Sequence, residues 1–145
     1  MFELSTNDFG KCYRAVKRIH TGTVLADLDK SRLSNSPTWQ TVQISENEHA
    51  YDENIIYLNH SCDPNTIIDT KRGLLIAVKN INSGEELNFF YPSTGWDMDR
   101  GEDYPFNCKC GSPKCIGVVS GAKPLSIDVL SEYYINEHIK KLKKM

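Results

Sequence analysis

Two stretches of this chain carry residues whose types and spacing suit chemistry. The first is Asn59-His60-Ser61-Cys62-Asp63-Pro64-Asn65. Asn59 and Asn65 bring amides with both donor and acceptor edges, His60 a ring that can do either, and Cys62 a potential thiolate. Pro64 sets the backbone where the run turns. The same residue types would also serve an ordinary polar turn. The flanks argue against that: Ile55-Ile56-Tyr57-Leu58 and Thr66-Ile67-Ile68 read as buried segments. A polar run clamped between apolar ones is expected inside the fold, where each polar group needs a partner.

The second stretch is Cys108-x-Cys110-x4-Cys115, with Gly111, Pro113 and Gly117 bending the chain around it. Such close spacing lets sulfurs converge on one ion at about 2.3 Å. Unliganded structural cysteines would have no reason to keep it. A structural zinc site usually takes four ligands, so a fourth must come from elsewhere, and Cys12 and Cys62 are the candidates. The chain has five cysteines, which suits four ligands and one free thiol. Its start, Met1-Phe2-Glu3-Leu4-Ser5, shows neither the basic nor the apolar region of a secretion signal. An intracellular protein is therefore expected, nuclear or cytoplasmic in a eukaryote and cytoplasmic or an exported effector in a bacterium, and metal ligation is favoured over disulfides. The metal site reads as closed and structural, so the chemistry is not assigned to it.

At 145 residues, with 39% hydrophobic and 25% charged content, the chain reads as one ordinary globular domain. No apolar run approaches the roughly 20 residues of a membrane helix. A net charge of −2 argues against a generic nucleic-acid binder. The one basic cluster, Lys140-Lys141 with Lys143-Lys144, reads as a solvated helix face.

The elements that must position these residues are mostly short strands. Residues 10–29 alternate apolar and polar positions around a turn at Thr21-Gly22, which predicts two strands. Thr38 to Ile44 predicts a third. Asn54 to Leu58 fits either a helical turn or a strand. Thr66–Asp69 and Leu74–Val78, joined at Lys71-Arg72-Gly73, predict a hairpin, and Glu86 to Tyr91 a further strand. Closely spaced strands and turns point to a mostly β domain. Residues 92–105 read as a long loop whose Trp96 and Met98 dock on something apolar. Ser126 is placed to cap a helix running to about Lys143, with Leu130, Tyr134, His138, Ile135, Ile139 and Leu142 on its apolar face and Asn136 as an interruption.

The Asn59–Asn65 motif, the run Gly84-Glu85-Glu86-Leu87-Asn88-Phe89-Phe90-Tyr91 and the cysteine tail follow one another in an order and separation that resembles SET-domain protein lysine methyltransferases of a short form with a post-SET zinc segment. Gly10-Lys11-Cys12-Tyr13-Arg14-Ala15 looks like the family's N-terminal strand, and the likeness covers roughly residues 8–120. It implies a mostly β SET-domain β-clip fold, with small sheets around a knot-like crossing, a C-terminal zinc-binding post-SET segment and a terminal α-helix. The implied divisions are residues 1–91 for the SET domain, 92–105 for a connecting loop, 106–120 for the post-SET segment and 121–145 for the C-terminal helix, all one globular unit.

The resemblance further implies an enzyme that moves methyl groups from S-adenosylmethionine to the side-chain amine of a lysine in a protein or peptide, a histone tail being one candidate. Gly10, Lys11, Cys12, Tyr13, Asn59 and His60 would hold the cofactor. Tyr91 would be the active-site tyrosine. Phe89 would occupy the position linked to how many methyl groups are added, phenylalanine there implying di- or trimethylation. Cys62, Cys108, Cys110 and Cys115 would ligate zinc. Two positions depart from the family's pattern: Cys12 stands where a second glycine is usual, and Phe90 where an acidic residue often precedes the tyrosine. Residues 30–54 are short for the peptide-groove wall they would form, so the 92–105 loop, the C-terminal helix or a second subunit would complete it. A homodimer is therefore compatible; no nucleic-acid or membrane partner is expected. The rival reading is a catalytically silent module of the same fold that binds a peptide or stabilises a partner.

Overall fold

Short apolar runs cut by closely spaced turns give strands of two to six residues. The computed structural model describes residues 1–98 and 104–145. In chain order the strands are β1 (Phe2–Asn7), β2 (Gly10–Ala15), β3 (Val24–Asp27), β4 (Leu33–Ser34), β5 (Thr41–Gln43), β6 (His49–Tyr51), β7 (Asn59–His60), β8 (Thr66–Asp69), β9 (Leu74–Ala77), β10 (Asn88–Phe89), β11 (Phe106–Asn107) and β12 (Val118–Val119). A 3₁₀ turn spans Tyr91–Ser93, and two helices follow, α1 (Ile127–Leu130) and α2 (Glu137–Lys143). The strands form five small sheets: β1-β2, β3-β9-β8, β4-β6-β5, the parallel pair β10-β7, and β11-β12. No described helix is long and apolar enough to cross a membrane.

The main core packs Leu25, Leu58, Ile68, Leu75, Leu87 and Phe89 between these sheets. The flanks of the central motif are buried where the alternation requires it, with Ile55, Leu58, Thr66 and Ile68 inside. A second cluster joins Phe90 to Ala122, Leu130, Ile135 and Ile139, so the C-terminal segment packs on the strand that leads to Tyr91. Trp96 packs against this cluster and Met98 is buried, as expected of the apolar residues in the 92–105 loop. The remainder of that loop, 99–103, lies outside the described residues. Residues 94–98 and 120–123 are laced by Met98 N–H to Ser120 O, Ala122 N–H to Gly95 O and Lys123 N–H to Trp96 O. Gly121 is required there: its φ is +87°, and a Cβ would meet the Trp96 carbonyl oxygen at 2.4 Å.

Several predicted elements differ in extent, each for a local reason. The two strands expected over residues 10–29 are β2 and β3, but they lie in different sheets: β2 pairs antiparallel along its whole length with β1, a strand that was not expected, and β3 pairs with β9. The strand expected over Thr38–Ile44 is confined to Thr41–Gln43, because its only partner, β6, is three residues long. The region 30–54 folds into the sheet β4-β6-β5, two of whose strands have no sequence signal of their own. Residues 53–57 are turns, closed by Leu58 N–H to Ile55 O at 3.0 Å. The strand expected over Glu86–Tyr91 shrinks to Asn88–Phe89, since β7 offers only two residues for pairing and Tyr91 already enters the 3₁₀ turn.

The single helix expected over 126–143 is two. Ser126 does cap the first, accepting from Val129 N–H at 3.2 Å. The break at Asn136 has a tertiary cause. Its side chain, 2% exposed, donates to Ile68 O and Ser93 O at 2.8 and 2.9 Å and accepts from the Thr70 N–H and hydroxyl at 3.0 and 3.2 Å. An extended backbone at Asn136 (φ −70°, ψ 155°) delivers that amide into the body of the domain. Tyr134 consequently stays exposed instead of lying on an apolar face, while Tyr133 stacks on Phe90 with centroids 3.7 Å apart. His138 Nε2 donates to Thr94 O at 2.8 Å, adding a second polar tie.

Asn136→Ala takes the side-chain partners from the buried Ile68 carbonyl and the Thr70 N–H, while Ser93 O keeps only the backbone N–H of residue 136 at 3.2 Å. The substitution should lower unfolding free energy by about 2–4 kcal/mol, read from denaturant midpoints at unchanged m-value.

Candidate active site and metal centre

The central motif is pinned by amide exchange across to β10. Asn65 N–H donates to Asn88 Oδ1 and Asn88 N–H to Asn65 Oδ1, both at 3.0 Å. Asn65 Nδ2 then reaches Glu86 O at 2.9 Å, and the Thr66 hydroxyl donates to Asn88 O at 2.7 Å. Side chains here continue a ladder that two-residue strands cannot supply alone, which satisfies the buried backbone. The predicted turn at Asp63-Pro64-Asn65 is thus also the clamp that holds β7 beside the strand leading to Tyr91.

His60 follows on β7 and lies between two functional groups. Tyr91 N–H donates to its Nδ1 at 3.1 Å. A neutral ring accepting there carries its proton on Nε2, which faces Cys62 Sγ at 3.2 Å. Burial keeps it neutral, pushing the pKa down to about 4. Tyr91 turns inward, where its hydroxyl donates to Leu58 O at 2.6 Å; burial holds its pKa well above the ordinary phenol value. Phe89 and Phe106 flank the Tyr91 ring at 4.9 and 6.1 Å between centroids.

Two hollows meet at Tyr91. A cleft of about 930 Å³ is walled by Asn59, His60, Glu86, Tyr91, Phe106 and the Asn7–Phe9 turn, among others. A slot of about 50 Å³ runs in from the other side between Ile55, Leu58, Phe89, Tyr91 and Met98. Trp39, Ile56, Tyr91 and Tyr104 line both. Of the expected cofactor residues, Asn59 and His60 stand on the cleft wall. Gly10, Lys11, Cys12 and Tyr13 lie behind it on β2, where Lys11 O accepts from Asn59 Nδ2 at 3.3 Å. The Cys12 side chain is wholly buried and forms no part of the cleft wall. Asn7, Phe9, Glu86 and Lys109 on the wall are not singled out by the sequence: turn and strand residues of ordinary type carry no signal until the chain is folded.

Cys62, Cys108, Cys110 and Cys115 bring their sulfurs within 4.8 Å of one another. A tetrahedron of thiolates around zinc at about 2.3 Å has sulfur–sulfur edges of about 3.8 Å. Cys62 and Cys108 are 3.8 Å apart. The donor set therefore fits zinc, and Cys62, one of the two candidates left open by the spacing, is the fourth member. Cys12 lies elsewhere in the fold, buried and free. Besides the His60 ring, Ile116 N–H points at Cys62 Sγ at 3.3 Å, and Gly117 N–H at Cys115 Sγ at 3.5 Å. Such donors orient and stabilise metal-bound thiolates. Burial raises the Cys108 thiol to about 11; at Cys110 it acts the same way but is outweighed by N–H donors, Ser112 first, bringing the value down to about 7. Metal analysis should return about one zinc per chain, lost in Cys110→Ser together with thermal stability.

Comparison with known proteins agrees with this geometry. A family model described as "SET domain" matches residues 4–92. A protein named methyltransferase flvH from Aspergillus flavus is 42% identical over 90 residues, covering 61% of this chain and 48% of the relative. The histone-lysine N-methyltransferase mes-4 of Caenorhabditis elegans is 34% identical over 82 residues, 46% of this chain and 8% of that protein. The chain thus spans about half the length of the first relative and under a tenth of the second. Among solved structures, KRYPTONITE in complex with mCHH DNA, H3(1-15) peptide and SAH superposes with a TM-score of 0.61 at 23% identity, covering 81% of this chain and 29% of that one. The methyltransferase domain of human SETMAR gives 0.56 at 18% identity, covering 83% and 59%. These likenesses show the fold. The matched stretch takes in Asn59, His60 and Glu86 of the cleft wall and ends one residue past Tyr91, and the chain belongs to the SET domain family.

Proposed function

We propose that this protein is an S-adenosylmethionine-dependent protein-lysine N-methyltransferase. The observation that carries the reading is the meeting of a roomy cleft and a narrow slot at one buried tyrosine, Tyr91. In this reading residues 1–91 are the SET domain, 106–120 the zinc-binding post-SET segment and 121–145 the C-terminal helical segment, with 92–105 connecting them.

The residues present fit the cofactor. Asn59 and His60 on the cleft wall would hold its polar ends, with the Gly10–Tyr13 backbone supporting Asn59 from behind. When bound, S-adenosylmethionine supplies an electrophilic methyl group on a sulfonium. The chain's own part is to admit a lysine, strip it of water and hold it. A lysine in water has a pKa near 10.4, about three units above neutrality, so the amine must be neutralised before it can attack. A narrow slot walled by Leu58, Phe89, Tyr91 and Met98 disfavours the ammonium form. Alignment of amine and methyl group across the Tyr91 ring would supply much of the remaining barrier reduction. The Tyr91 hydroxyl, already bonded to Leu58 O, keeps its oxygen lone pairs for the incoming amine or for weak C–H···O contacts with the methyl group. Among the described residues no carboxylate lines the slot, consistent with a reaction that needs no dedicated general base.

The substrate class is a lysine-bearing protein or peptide. Histone-lysine methyltransferases among the relatives make a histone tail one candidate. Thr41, Val42 and Gln43 of β5 line the slot, so residues 30–54 would form part of a peptide-groove wall, with the 92–105 loop, the C-terminal helical segment or a second subunit completing it.

Transfer of labelled methyl groups to a panel of lysine-rich proteins should be abolished in Tyr91→Phe, with folding retained at a cost of about 1–3 kcal/mol for the orphaned Leu58 carbonyl. Unchanged transfer would remove Tyr91 from this role, and a wild-type protein that binds a peptide but neither binds cofactor nor transfers would favour the silent module. Phe89 beside the Tyr91 ring leads to di- or trimethyl product by mass spectrometry, and Phe89→Tyr should shift it toward monomethyl. Because the His60 ring spans the Tyr91 backbone and Cys62, removal of zinc with a chelator should weaken cofactor binding by about tenfold or more.

A further inference from the structure

Among the described residues Glu86 is the one half-buried carboxylate on the cleft wall, and neither the metal centre nor the methyl-transfer reading uses it. Its backbone bridges to Arg14 of β2, yet the Arg14 guanidinium turns elsewhere, donating to Thr6 O at 3.1 Å and Gly84 O at 3.0 Å. Among the described residues Glu86 forms no ion pair. Its partners are two amides, with the buried Cys12 thiol beside them. Oε1 accepts from Asn7 Nδ2 at 2.7 Å, and Oε2 from Asn59 Nδ2 at 3.1 Å.

An ionised carboxylate can only accept, so both asparagines must turn their NH2 groups toward it. Asn7 is held in that orientation from both ends, because its Oδ1 already accepts from Phe9 N–H at 2.7 Å. Asn59 is different. Its second amide proton goes to Lys11 O, so both donor edges are spent on the protein. What Asn59 has left for a ligand is Oδ1, an acceptor. Glu86 therefore decides which face of the Asn59 amide the cleft presents, and the answer is the face that suits a cationic donor such as an α-ammonium group.

The same carboxylate adds charge. Among the described residues the other ionisable side chains on the wall are Asp8 at the exposed rim, Lys109, the buried neutral His60, the tyrosines Tyr57, Tyr91 and Tyr104, and the metal-centre cysteines Cys108 and Cys110. Glu86 lies deeper, where solvent screens it less. The cofactor of the proposed reaction enters with a sulfonium and leaves as a neutral thioether. A fixed negative charge in the cleft favours the first over the second.

We infer that Glu86 is a positioning and charge-selecting residue of the cofactor cleft: it fixes the Asn59 amide with its oxygen toward the ligand and biases the site toward S-adenosylmethionine over S-adenosylhomocysteine. The inference rests on the proposed function. It goes beyond that function by giving the chain a built-in preference for the charged cofactor over its own product, which speeds product exchange.

Calorimetric dissociation constants for both ligands test this on the zinc-loaded protein. Glu86→Gln should weaken S-adenosylmethionine by about tenfold and S-adenosylhomocysteine by about twofold, so that the ratio falls. Glu86→Asp keeps the charge and should keep the ratio even if both affinities drop. Asp8→Asn should change the ratio by less than about twofold, its charge being exposed and screened. A Glu86→Gln protein that weakens both ligands equally would overturn the inference, as would an Asp8→Asn protein that reproduces the fall. Should Glu86→Gln fail to fold, the unmodified protein decides: its preference for the charged ligand must shrink as salt is raised toward about 1 M, and a salt-independent ratio overturns the inference. An unmodified protein that binds neither ligand would overturn the proposed function and this inference with it, an outcome distinct from binding with an unchanged ratio.

Discussion

A single imidazole has to satisfy two neighbours at once, and much of the site follows from that constraint. Tyr91 needs an acceptor for its backbone N–H where β10 runs out, and His60 Nδ1 provides it. Burial forbids the charged ring, so the remaining proton must lie on Nε2, directed at Cys62. One tautomer thus joins the residue that would orient a substrate amine to the residue that would hold a metal. Were the ring to carry its proton on Nδ1, a donor would face a donor at Tyr91 and the Cys62 sulfur would lose its N–H contact.

The rest of the fold is built to keep those two neighbours in register. Strands of two residues cannot fix a loop by backbone pairing alone, so side chains take over. The exchange between Asn65 and Asn88 does this on one side of the motif, and Asn136 does it for the C-terminal segment, reaching β8 and the 3₁₀ turn after Tyr91. Tyr133 adds a hydroxyl bond to Cys62 O at 2.7 Å while its ring stacks on Phe90. Phe90, which departs from the family's acidic residue, thereby gains an apolar partner in place of a charge. Polar networks of this kind are costly when broken and specific when complete, which suits a site whose parts come from distant stretches of chain.

Catalysis by such a site asks little of acid–base groups and much of shape. The slot is narrow, with Leu58, Phe89 and Tyr91 among its walls, and the cleft that meets it at Tyr91 is wide and lined with amides and the carboxylates of Glu86 and Asp8. This division separates desolvation of an amine from recognition of a charged cofactor. Zinc, by the fit of its four sulfurs, would brace the part of the cleft wall that Cys108 and Cys110 form.

Much of this was legible in the amino acids themselves. The polar motif between apolar flanks, the close cysteine spacing and the succession of short strands pointed to a buried functional loop, a metal centre and a mostly β domain. They are local properties, set by residue type and near-neighbour spacing. Which of Cys12 and Cys62 completes the sulfur cluster could not be read that way, because it depends on the distance between residues some fifty positions apart in sequence. The lengths of the strands at Thr41–Gln43 and Asn88–Phe89 depended likewise on partners with no pattern of their own. The helix broke at Asn136 because its amide is worth more inside the domain than a continued apolar stripe is on its surface. Glu86 looked like any strand carboxylate until folding set two asparagines against it. Sequence alone determined which chemical groups were available; only the tertiary structure decided which of them face one another, since hydrogen-bond direction, tautomer and ligand set are properties of pairs.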